Sequence, residues 1–115
     1  MSKTVRNKKT PKYDNVTLSG NLLCDYCDGN PVAIALYNNG EILDLYNKDC
    51  NRSFYINRYL SLSSPRNFTG DFYYMCNGTR LEQLNKPATY VGDFSYVDYY
   101  GFGPIILRKN YKTIN

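Results

Sequence analysis

The chain has 115 residues, 43% hydrophobic and 21% charged, with 13 Tyr and neither His nor Trp. That length fits one domain, that apolar content excludes a wholly disordered chain, and the missing His excludes Ser-His and Cys-His nucleophile pairs. The formal net charge of +4 sits at the ends: Lys3, Arg6, Lys8, Lys9 and Lys12 precede residue 13, Arg108, Lys109 and Lys112 follow residue 107, and between them six basic residues face ten acidic ones.

Residues 1–14 read as a flexible basic tail, because they hold almost no apolar side chain that could offset the entropy of ordering. Residues 15–115 read as a single β-rich domain. The polar start has no apolar stretch of signal-peptide type, and no apolar run approaches the roughly 18 residues of a membrane span. The expectation is an intracellular protein with no membrane partner. Four Asn-x-Ser/Thr sequons, at Asn15, Asn51, Asn67 and Asn77, are then chance products of a chain with 14 Asn.

From Val16 onward the periodicity is that of strands. Val16 and Leu18 alternate with Thr17 and Ser19. Val32, Ile34 and Leu36 alternate before Asn38-Asn39-Gly40, whose residues accept positive φ cheaply, and Ile42, Leu43 and Leu45 return. This predicts a hairpin over 31–47. Over 53–63, Phe54, Ile56, Arg58, Leu60 and Leu62 share one face, and Tyr55, Asn57, Tyr59, Ser61 and Ser63 the other, which predicts a half-buried strand. An aromatic strand spans 70–76. Thr79, Glu82, Leu81 and Leu84 fit a capped short helix over 79–85. Strands at 89–100 and 104–112 flank Gly101-Phe102-Gly103. A Gly-Asp-Phe-x-Tyr core recurs at Gly70 and at Gly92, read as two strands entered by similar turns. The fold class is mainly β: a small antiparallel barrel or sandwich of six or seven strands with at most one short helix.

The cysteines are Cys24, Cys27, Cys50 and Cys76. Cys24-Asp25-Tyr26-Cys27 is a C-x-x-C closed by Gly29, a hairpin follows, and Cys50 comes after it. Over residues 22–52 this resembles a zinc ribbon, knuckle then hairpin then knuckle. It departs from that pattern at Asn47, where a second C-x-x-C would carry a cysteine. The resemblance implies one Zn²⁺ on Cys24, Cys27 and Cys50, with Cys76 as fourth thiolate. The residues themselves leave two other readings open: buried free thiols, or disulfides such as Cys50–Cys76 in an oxidising compartment.

No Walker loop, G-x-G-x-x-G or G-x-S-x-G occurs, and the expectation is that the chain is not an enzyme. Tyr gives large contact area at low entropy cost, so Tyr55, Tyr59, Tyr96 and Tyr100, with Arg58 nearby, are the candidate partner-binding residues. High Asn, Tyr and Lys follow from AT-rich coding, common in phage and viral genomes. The leading expectation is therefore a non-catalytic module, phage- or virus-encoded, that binds and modulates or inhibits a host protein complex. The alternative is a nucleic-acid-binding protein with a degenerate zinc-ribbon-like knuckle and a basic arm of Lys3, Arg6, Lys8, Lys9 and Lys12, joined by Arg52. The acidic body weighs against it, because affinity for a phosphate backbone grows with each phosphate neutralised.

Overall fold

The computed structural model describes residues 13–62 and 65–109. Eight strands follow one another: β1 (Tyr13–Cys24), β2 (Pro31–Asn38), β3 (Glu41–Asp49), β4 (Ser53–Ser61), β5 (Phe68–Cys76), β6 (Thr79–Pro87), β7 (Thr89–Phe94) and β8 (Val97–Lys109). They form one sheet in the order β3-β2-β5-β6-β8-β1-β4, with β7 paired outside β8. The sheet curls into a nearly closed barrel. All pairings are antiparallel except β1 with β8, which run parallel.

Three hairpins set this register. Each turns on two residues in the left-handed region: Asn39-Gly40, Asn77-Gly78 and Ser95-Tyr96. Paired positive φ values match the right-handed twist of the flanking strands. The 31–47 hairpin stands as expected, with Val32, Ile34 and Leu36 buried. The strand over 53–61 also follows its alternation, Phe54 and Ile56 inward and Tyr55 and Tyr59 outward.

The expected helix over 79–85 is instead β6. The Asn77-Gly78 turn delivers Thr79 opposite Cys76 and Leu81 opposite Tyr74, so the chain continues as a ladder. Seven residues with two Leu on one face could not nucleate a helix against that. The tail boundary also moves, because Tyr13 and Asp14 belong to β1 and pair with Ser61 and Leu60. Residues 1–12 lie outside the described residues.

Phe54, Phe72 and Phe102 meet at the centre, with ring centroids 5.4–6.2 Å apart. Val16, Leu18, Leu22, Ile105 and Leu107 fill the β1–β8 side. The repeated Gly-Asp-Phe has a packing cause at both sites. A Cβ on Gly70 would lie 2.7 Å from the Phe72 ring, and one on Gly92 2.8 Å from the Phe94 ring. Each Phe lays its ring over the glycine two residues before it, and only glycine leaves that space. A register shift accompanies each glycine, between Gly70 and Phe72 in β5 and between Tyr90 and Gly92 in β7.

The cysteines are joined as Cys24–Cys50 and Cys27–Cys76, and no free thiol remains among them. The Cys50–Cys76 pairing considered from sequence is not formed. The C-x-x-C turn sends its two sulfurs to different strands, Cys24 back to the β3–β4 turn and Cys27 across to the end of β5. A sulfur in a disulfide carries no thiolate charge, so in this state the expected zinc ligands have nothing to offer the ion. Among the described residues, no group of three or more His, Cys, Asp or Glu side chains could hold a metal ion. No helix there is long and apolar enough to cross a membrane.

Candidate binding site

The ends of the barrel differ. Cys24 and Tyr13 close the two ends of β1, a strand of 12 residues and so about 35 Å long. The sulfurs staple the Cys24 end. At the Tyr13 end the start of β1, the finish of β4 and the tip of the β7–β8 hairpin surround a concavity of about 400 Å³.

Its walls are aromatic and acidic. Tyr13, Tyr59, Tyr96 and Leu62 supply the apolar surface, and Asp14, Asp93 and Asp98 the carboxylates. Tyr59 is outward because β4 alternates. Tyr96 sits in the second position of a tight turn, at a φ of 65°, and is 96% exposed. A non-glycine residue held in the left-handed region costs about 1–2 kcal/mol.

The carboxylates are crowded. Asp93 and Asp98 stand directly opposite each other in the β7–β8 ladder, where like charges repel. Asp14 accepts a hydrogen bond at 2.9 Å from Arg66, a half-buried cation in the segment before β5. Desolvation, then Asp93 and Asp14, push the Asp98 carboxyl above the usual carboxylate range, while Arg66 pulls it back. Burial and the charge of Asp98 likewise raise the Tyr100 and Tyr90 hydroxyls. The Arg66 guanidinium therefore leaves net negative charge in the bowl.

Of the residues predicted from sequence, Tyr59 and Tyr96 come together in this bowl. Tyr55 is exposed on the same face of β4, four residues further along and outside the bowl. Tyr100 is not a surface residue of that kind. It is half-buried, edge-on to Phe68 at 4.7 Å and to Tyr90 at 5.3 Å. Arg58 faces away from Tyr55 and Tyr59, bonded to Asp44 of β3 and to its own neighbour's carbonyl, Asn57 O. Arg52 is exposed in the β3–β4 turn, beside Lys48 and Asp49, at the disulfide end. Lys3, Arg6, Lys8, Lys9 and Lys12 lie outside the described residues.

Sequence reasoning missed Tyr13, Asp14 and Leu62. The signal for the first two was the alternation of β1, which extends back through Asn15 to Tyr13. Asp71 and Asp93, the aspartates of the repeated Gly-Asp-Phe, have separate partners: Asp71 accepts the Asn85 N–H at 2.8 Å, and Asp93 faces Asp98.

No protein-family model matches the chain, and no curated protein or solved structure matches it either.

Proposed function

We propose that this protein is a non-catalytic binding module that takes a partner protein at the Tyr13–Tyr59–Tyr96 end of its barrel. One observation carries the reading: three exposed tyrosines from separate elements converge on a single concavity, one of them on a turn strained to present it. Exposed aromatic clusters beside a concavity are typical anchors of protein interfaces. Tyr55 extends the same face along β4. The AT-biased composition supports a phage- or virus-encoded accessory protein that modulates a host complex, with a host protein as the partner.

The test uses the immobilised chain and lysate of its host cell. Capture of one protein at near-stoichiometric amount, lost by at least tenfold in Tyr59→Ala/Tyr96→Ala and kept in Arg52→Ala, supports this reading. Equal capture by all three, or no stoichiometric protein, ends it.

A further inference from the structure

We infer that the acidic, tyrosine-lined bowl seats the basic segment 1–12 of the same chain, so that the site carries its own competitor. The first ground is position. Residue 12 joins the barrel at Tyr13, which is itself a wall of the bowl. In the register, Tyr13 pairs with Ser61 at the end of β4, and Val16 is level with Asp98. Tyr96 and Asp14 line the same concavity. The attachment point of the segment, Tyr13, thus shares the bowl with Leu62 and Tyr96.

The second ground is charge. The segment MSKTVRNKKTPK has five cationic side chains and no acidic one. The bowl has three carboxylates, two of them set against each other across a ladder, with Arg66 supplying the cation at Asp14. Those carboxylates do not form a metal site. Tyrosine faces beside carboxylates suit ammonium and guanidinium groups, which gain both from the ring quadrupole and from the charge.

The third ground is connectivity. Because the segment is tethered at the rim, its effective concentration at the bowl is in the millimolar range. Individually weak, solvent-screened contacts then suffice to populate the docked state. Any partner that uses Tyr59 and Tyr96 must displace the segment, and a partner with its own cationic stretch does so best.

Zero-length carbodiimide coupling on the full chain tests this, in an equal mixture of ¹⁴N- and ¹⁵N-labelled protein. The expected result is amide links from Lys3, Lys8 or Lys9 to Asp93 or Asp98, all within one isotope. They should fall at least fivefold at about 1 M salt, where screening reaches about 3 Å. Mixed-isotope links would show that a second copy's segment occupies the bowl, and overturn the inference. So would links spread equally to Asp25, Asp28 and Asp49 at the opposite end, or no links at all.

A second measurement does not depend on coupling chemistry. The NMR ring signals of Tyr59 and Tyr96 should move on adding salt to the native chain. They should stay still in a chain with Lys3, Arg6, Lys8, Lys9 and Lys12 all changed to Ser. Equal movement in both chains overturns the inference. Neither measurement uses the protein partner, so this inference and the proposed function fail independently.

Discussion

Asp98 shows how a single side chain records the field around it. Its carboxyl is raised by desolvation and by Asp93 and Asp14, so the folded state holds its proton more tightly than the unfolded chain does. Stability therefore falls as pH rises from the unfolded carboxylate value through the higher folded one. Asp98→Asn removes that loss. The melting temperature of the variant should exceed that of the native chain at pH 7, and the gap should close near pH 3, where the carboxyl is protonated in both states. An equal difference at both pH values would mean that packing, not charge, sets the effect. The environment of Asp98 was not legible in the sequence. Its pairing with Asp93 depends on the register of a hairpin whose turn, Ser95-Tyr96, lacks the Asn-Gly signature of the other two.

At the scale of elements, legibility followed turn chemistry. Where Asn precedes Gly, as at Asn39-Gly40, the hairpin could be read directly. At Asn77-Gly78 the same signal competed with a capping pattern, and the turn prevailed because it aligns nine residues of β6 with a strand already buried. The β7–β8 turn carries a strained Tyr where Gly would be relaxed. Tyr96→Gly should therefore stabilise the fold, by about 0.5–1 kcal/mol once the extra freedom of glycine in the unfolded chain is counted. The same change should weaken partner capture. Chemical denaturation and the capture assay together read this trade. A loss of stability in Tyr96→Gly would show that the ring holds the turn rather than being presented by it. The convergence of Tyr13, Tyr59 and Tyr96 could not be foreseen, since it needs β1 parallel to β8, and a non-local parallel pairing leaves no mark in local periodicity.

For the whole molecule, barrel architecture was readable from alternation and turn spacing, whereas sulfur chemistry was not. Four cysteines allow three pairings as well as a metal site, and only the three-dimensional placement of β5 brings Cys76 to Cys27. The two disulfides close overlapping loops, with sequence separations of 26 and 49 residues. In the chain-entropy description each is worth about 3–4 kcal/mol taken alone. Cys24→Ser/Cys50→Ser and Cys27→Ser/Cys76→Ser should each lower the urea midpoint and steepen the slope, because the unfolded chain without the cross-link is more expanded. If both pairs of substitutions leave the midpoint unmoved, the sulfurs are not structural.

Opposite those staples in design is the place where the sheet fails to close. Among the described residues β3 pairs only with β2 and β4 only with β1, and Arg58 to Asp44 is the ion pair that spans them. Parting two paired strands breaks a whole ladder, but parting these edges breaks none, and the Arg58–Asp44 pair, with its guanidinium nearly half exposed, adds only roughly 1 kcal/mol. The barrel is thus a hoop with a clasp. Local opening is therefore expected along this line first, because no backbone ladder has to break there.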